Sequence, residues 1–187
     1  VYIALIRQQL ERGRTAMVLV PEIALTPQLL RIFASHFGDD IAVLHSSLRA
    51  GERYDEWKRI RQGKARVVLG TRSAVFAPLE NIGIIVVDEE QEGSYKSENV
   101  PRYHAIDVAK YRCVQHHALL LLGSATPSIE TMYRARQGIY HLFQMKNRYN
   151  QRALPQVTVV DMKDELRAGN GSSLSGPLRQ GILDNLE

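Results

Sequence analysis

Two hydrophobic rhythms alternate along this chain. Runs that are apolar at almost every position, at 15–20, 41–45, 66–69, 82–87 and 118–122, alternate with stretches where apolar residues recur every three or four positions. The first rhythm belongs to strands buried on both faces, the second to amphipathic helices. Helices are predicted over 1–12, 26–37, 49–62, 103–116, 127–137 and 178–186. Gly13, Gly38, Gly63 and Gly138 stand where four of them stop. Thr26 is a predicted N-cap with Pro27 in the first turn, and Ser46 and Ser47 are predicted caps for the helix that follows them. A further strand is predicted at 157–160, and the glycine- and serine-rich stretch 168–177 reads as a mobile loop. Strands alternating with helices predict an α/β fold with a mostly parallel sheet and helices on both faces.

Polar signatures follow the strands: Pro21-Glu22 through Thr26-Pro27, Gly70-Thr71-Arg72-Ser73, Asp88-Glu89-Glu90-Gln91 and Gly123-Ser124-Ala125-Thr126-Pro127. In a parallel sheet all of them gather on one rim. Open α/β sheets bind ligands in the crevice at that end. The sharpest signature is the apolar run at 82–87, which stops at three adjacent carboxylates. Acids in such a place are costly unless a cation or a reacting group needs them. Asp88 is placed to hold Mg²⁺ through water, as strand-end acids do in nucleotide hydrolases, and Glu89 to orient a water or take its proton. Ser124 and Thr126 are placed to hydrogen-bond the acid loop. Thr71 and Arg72 offer a hydroxyl, a cation and turn N–H groups to phosphate oxygens.

Composition adds limits. The chain has 187 residues, 44% of them apolar and 24% charged, which suits an ordinary globular domain. No apolar run approaches the roughly 20 residues of a membrane span, and no secretory signal pattern is visible. One cysteine, Cys113, excludes a disulfide or a cysteine-rich zinc site within the chain and fits a reduced, cytoplasmic setting. Residues 49–66 carry seven basic residues against three acids, an excess equal to the whole net charge of +4. Such a cluster is compatible with nucleic acid. It reads more simply as a solvated helix face with acid–base pairs at helical spacing. The chain starts at Val1 inside an amphipathic pattern, which reads as a piece of a longer protein.

The motifs carry a resemblance. Asp88-Glu89-Glu90-Gln91 and Ser124-Ala125-Thr126 resemble motifs II and III of superfamily 2 helicases, the segment 20–28 resembles motif Ia and the segment 69–78 motif Ib. The long forms closely resemble the bacterial replication-restart helicases, as does Gly93-Ser94-Tyr95-Lys96 with Pro101-Arg102-Tyr103-His104-Ala105. The resemblance implies a RecA-like fold and ATP hydrolysis coupled to 3′-to-5′ unwinding of single-stranded and forked DNA. It implies primosome and single-strand-binding partners and no membrane. By position, Asp88 would be the Mg²⁺ acid and Glu89 the catalytic base, and Gln91 would sense the γ-phosphate. Thr71 and Arg72 would touch the DNA backbone. Lys96, Arg102, Ser124 and Thr126 would bind DNA or couple it to the ATP site. Tyr95 and Tyr103 would lie in a loop that reports bound single strand, base stacking being one sequence-tolerant means. Residues 1–165 then form a truncated first motor domain, and 166–187 lead toward a zinc region and a second motor domain.

Two positions depart from the family pattern. Gln91 replaces a histidine and cannot titrate near neutral pH. Ile106 replaces an arginine, which removes any ion pair or phosphate contact made by that cation. A third difference is larger: no Gly-x-x-x-x-Gly-Lys-[Ser/Thr] loop occurs among the 187 residues. Zinc is expected only in the longer protein. The chain alone is therefore expected not to hydrolyse ATP, and its sheet to show an exposed gap or edge where a strand is missing. Two other readings stand beside this one. They are a non-catalytic DNA- or replisome-binding module, and another α/β nucleotide-dependent enzyme.

Overall fold

The computed structural model describes residues 1–145 and 156–186. It divides into two compact units, Val1–Leu142 and Phe143–Glu187. In the first unit the strands are β1 (Thr15–Leu19), β2 (Ile41–Leu44), β3 (Val67–Gly70), β4 (Ile82–Val87) and β5 (Leu119–Leu122). They are joined by the helices α1 (Tyr2–Glu11), which precedes β1, α2 (Pro27–Phe37), α3 (Ala50–Arg61) and α4 (Ala105–His116), and followed by α5 (Ile129–Arg136). The second unit holds α6 (Met162–Arg167) and α7 (Gly176–Asp184). All strand pairs are parallel, in the order β2-β3-β1-β4-β5. No helix among the described residues is long and apolar enough to cross a membrane.

Every residue of β4 is buried, as its unbroken apolar run requires. Its side chains feed two cores. Ile84 and Val86 join Ala16, Val18, Phe33 and Phe37 under α1 and α2. Ile82, Ile85 and Val87 join Met17, Leu19, Ala105 and Ala109 under α4. Ile82 and Ile85 share a face because Gly83 is an extra residue in the ladder: Thr15 pairs with Ile82, Ala16 with Ile84. A Cβ on Gly83 would lie 2.5 Å from Gln9 Oε1, so only glycine lets α1 pack this closely. Burying one such aliphatic side chain contributes about 1.5–3 kcal/mol. A central strand with this many is the stiffest support available for a site at its end.

Local signals are partly realised. Thr26 accepts a hydrogen bond from the Leu29 N–H at 3.2 Å, with Pro27 in the first turn, as predicted. Ser46 and Ser47 do not cap α3. Arg49 stands at the N-cap, and the Glu52 carboxylate takes its N–H at 2.8 Å, the reciprocal half of a capping box. Helix α5 starts at Ile129 rather than Pro127, because the Ser128 hydroxyl accepts the Thr131 N–H and sets the start. Residues 157–160 form no strand, since no described ladder includes them, and Val157 and Val159 are exposed. The unit boundary falls before the predicted one at residue 165. Glu165 explains why: its carboxylate accepts from Asn170 Nδ2 at 2.6 Å and from the Gly176 N–H at 2.7 Å. These bonds tie the glycine- and serine-rich stretch into the α6–α7 unit.

The sheet has no internal gap, and its two edges differ. At the β2 edge, Glu56 of α3 accepts the Val43 N–H at 3.1 Å, and Arg59 donates to the Ile41 and Asp39 carbonyls at 3.2 and 2.8 Å. Glu56 and Arg59 also pair at 2.7 Å, the acid–base spacing the sequence suggested. At the other edge β5 pairs only with β4 among the described residues, and its first residue, Leu119, is 50% exposed.

Candidate active site

Three carbonyl ends converge where β4 stops. The Asp88 N–H donates to the Leu19 carbonyl at 2.9 Å, the Gly123 N–H to Val87 at 2.8 Å, and the Glu90 N–H to Gly123 at 3.0 Å. Those bonds fix the acid loop between the ends of β1 and β5. The Tyr95 hydroxyl lies between strand ends as well, 3.0 Å from the Leu19 carbonyl and 2.6 Å from that of Asp88. Burial and the nearby Asp88 charge push its ionisation far above the ordinary tyrosine range.

The three acids have three different surroundings. Asp88 receives the Tyr2 hydroxyl of α1 on Oδ1 at 2.7 Å. Burial, the bond to Asp88 and the charges of Asp88 and Glu89 raise the Tyr2 ionisation well above its usual value, so the phenol stays a donor. Glu89 sits at φ +48°, in the left-handed region that non-glycine residues rarely occupy. Its Oε2 ends a chain of donors: the Thr126 N–H to Ser124 Oγ at 3.0 Å, that hydroxyl to Gln91 Oε1 at 2.5 Å, and Gln91 Nε2 to Glu89 at 2.9 Å. Glu90 turns the other way. It is 6% exposed and accepts the Ser128 N–H at 2.7 Å and the hydroxyls of Ser128 and Thr131 at 3.2 and 3.0 Å. It anchors the start of α5, where an anion also suits the helix dipole. Among the described residues none of the three acids is in an ion pair.

The structure thus joins Asp88, Glu89, Gln91, Ser124 and Thr126 at one place. It corrects others. Thr71 is 3% exposed, with its N–H on the Leu44 carbonyl at 3.0 Å, which removes its side chain from direct contact with a DNA backbone. Tyr95, 1% exposed, cannot stack a base; what remains open to it is coupling through the Asp88 and Leu19 carbonyls. Arg72 donates to the Ser94 and Lys96 carbonyls at 3.1 and 2.7 Å and so ties the segment after β3 to the polar loop. Tyr103 is half-buried, edge-on to the exposed Phe76 ring at 4.8 Å. Lys96 and Arg102 are exposed at the surface. Ile106 is in the core.

Sequence reasoning missed Tyr2, Glu90 as an anchor, and Gly123. Tyr2 had a usable signal: a helix that precedes a strand of a parallel sheet begins at the rim where the strands end. Gly123 had none, since its role is space. A Cβ there would sit 3.2 Å from Asp88 Oδ1 and would overlap the Tyr2 hydroxyl.

An all-parallel sheet joined by helices, with the acid loop at its carboxyl rim, has the α/β RecA-like fold. The chain belongs to the DEAD/DEAH box helicase family, whose sequence model matches residues 1–135. Over its length it is similar to the replication restart protein PriA of Bacillus subtilis, with 48% identity over 100% of this chain and 23% of that protein. It is also similar to PriA of Synechocystis, with 43% identity over 97% of this chain and 22% of that protein. The chain therefore spans about a quarter of the length of these relatives. The structure of RecG bound to a three-way DNA junction shares the fold, with a TM-score of 0.51 and 21% identity over 73% of this chain and 17% of that one.

Proposed function

We propose that this chain is part of the first motor domain of an ATP-dependent 3′-to-5′ DNA helicase of the replication-restart type. In this reading the protein acts on single-stranded and forked DNA with primosome and single-strand-binding partners. The observation that carries it is the donor chain from Thr126 through Ser124 and Gln91 to Glu89, beside an Asp88 that meets no cation among the described residues. The similarity to PriA proteins supports the choice of helicase type.

The donor set fits Mg²⁺ at Asp88. Tyr2 occupies Oδ1, while no donor among the described residues reaches Oδ2 of this half-exposed, hard-oxygen ligand. Mg²⁺ commonly uses one or two carboxylates and keeps several of its waters. Held at Asp88, the cation would supply neutralisation of phosphate charge. Glu89 has Oε2 held by Gln91, which leaves Oε1 to accept a proton from an attacking water. The amide of Gln91 links that base to Ser124, so a shift of the loop after β5 moves the base. The residues present do not supply a phosphate cradle, and the isolated chain is expected to release no phosphate from ATP.

The test is DNA-stimulated ATP hydrolysis by the longer protein that contains this segment. Glu89→Gln should lower the rate about 10²- to 10⁴-fold, the range of a lost general base, with an unchanged melting midpoint. A Glu89→Gln protein that keeps its rate would overturn Glu89 as the base, and a longer protein with no DNA-stimulated ATP hydrolysis would favour the reading as a non-catalytic DNA- or replisome-binding module.

A further inference from the structure

Asp88 faces a physical problem that its neighbours do not solve. Rotation of an aspartate carboxylate about its last bond is soft and broad, so a lone carboxylate at a strand end presents no fixed oxygen. Glu89 is held by Gln91 and Glu90 by Ser128 and Thr131, but the loop offers the Asp88 side chain no donor. The donor comes from the first turn of α1, 86 positions away, as the Tyr2 hydroxyl at 2.7 Å from Oδ1.

Three features make this more than a chance contact. The Tyr2 ring is half-buried and packs against the apolar core under α1 and α2, so the hydroxyl is delivered from a fixed direction. The space it occupies is kept by Gly123, where any Cβ would displace the hydroxyl and crowd Oδ1. The donor is also neutral. An arginine or lysine would fix the carboxylate equally well but cancel the charge a divalent cation needs, whereas a phenol orients it and leaves that charge in place. The free oxygen then has one preferred direction.

We propose that Tyr2 is a positioning residue that fixes the Asp88 carboxylate for a divalent cation carried by a nucleotide. This rests on the reading of Asp88 as the metal acid, and it concerns binding before any chemistry. The probe is ADP with and without Mg²⁺, titrated calorimetrically into the longer protein. The quantity read is the ratio of the two affinities. Tyr2→Phe, which removes one oxygen and keeps the ring, should cut the Mg²⁺-dependent gain about threefold to tenfold, the worth of one typical net hydrogen bond. Its affinity for metal-free ADP should stay that of the wild type. Gly123→Ala should cut the gain too, because its methyl group takes the hydroxyl's place. The Mg²⁺ concentration for half-maximal ATP hydrolysis should rise in both variants. In Tyr2→Phe the rate at saturating Mg²⁺ should return toward that of the wild type. Asp88→Asn separates the layers. If Asp88→Asn loses the Mg²⁺ gain while Tyr2→Phe keeps it, the role of Tyr2 is overturned and the metal acid stands. If Asp88→Asn keeps the wild-type ratio, the metal reading fails and this inference fails with it.

Discussion

The two rims of the sheet carry charge in opposite ways. At the rim where strands begin, polar groups close on one another. Arg14 donates to the carbonyls of Ile82, His116 and His117, Asn81 to that of Gly13, and Thr15 to that of Glu80. Arg66 clasps the Asp40 carboxylate through Nε at 2.9 Å and through a second nitrogen at 2.5 Å. At the rim where strands end, Asp88, Glu89 and Glu90 meet hydroxyls, amides and N–H groups, and among the described residues no cation. Glu89 occupies the left-handed region, as Asn81 and His117 do at the first rim. The first rim satisfies its own charges and acts as a clamp. The second leaves negative charge in place, as functional sites do.

The comparison is not uniform along the second rim, and Glu90 gives the largest expected effect on stability. Glu90→Ala removes a buried acceptor shared by three donors and leaves the half-buried Ser128 N–H and Thr131 hydroxyl without this partner. Urea denaturation should show a loss of about 2–3 kcal/mol, the scale of hydrogen bonds to a buried charge. Glu90→Gln should lose less. A neutral Glu90→Ala would mean that all three acids belong to function and none to the scaffold, which would sharpen the contrast between the rims.

Glu89 tests the strain itself. A non-glycine residue held in the left-handed region costs about 1–3 kcal/mol, against about 0.5–1 kcal/mol for the greater freedom of an unfolded glycine. Glu89→Gly also gives up the bond from Gln91. The net expectation in urea denaturation is a change within about 1 kcal/mol of zero, together with loss of ATP hydrolysis by the longer protein. A clear loss of stability would show that the acid is held there for the fold.

The contrast was half legible in the sequence. The unbroken apolar run before Asp88 marked a central strand, and the strand–helix order placed the acids, Thr71, Ser124 and Thr126 on one rim. Periodicity could not divide the acids. Which of three adjacent carboxylates turns inward depends on the backbone reversal at Glu89 and on where Ser128 starts α5. Tyr95 and Thr71 were read as surface contacts because their neighbours are polar. Their burial comes from packing against strand ends far away in the chain. Arg72 was read as a phosphate ligand because a lone arginine in a loop gives no sign of the carbonyls it will meet. The tie from Tyr2 to Asp88 crosses 86 positions and depends on a glycine's missing side chain. No local pattern encodes such a tie.

The smallest effect belongs to the opposite rim and has a pH signature. The hydrogen bonds from Arg66 hold the Asp40 carboxyl below its ordinary range, with partial burial acting against them. A carboxylate whose folded pKa is depressed contributes stability above its unfolded value, near 3.9, and loses it as pH falls through the folded value. The pair is 43% and 33% exposed, so water screens it and the contribution should stay below about 1 kcal/mol. Asp40→Asn should therefore be slightly less stable than the wild type in urea at pH 6. The gap should close steadily below about pH 4, where Asp40 takes up its proton and Arg66 keeps its own. If the gap persists at pH 2, it comes from packing or from neutral hydrogen bonds. If it exceeds about 2 kcal/mol at pH 6, the clamp is a stronger ion pair than its exposure allows. An Asp40→Asn stability profile that runs parallel to the wild type across the acid range would remove the charge argument for this rim. The difference between the two ends of the sheet would then rest on Arg14, Asn81 and Thr15 alone.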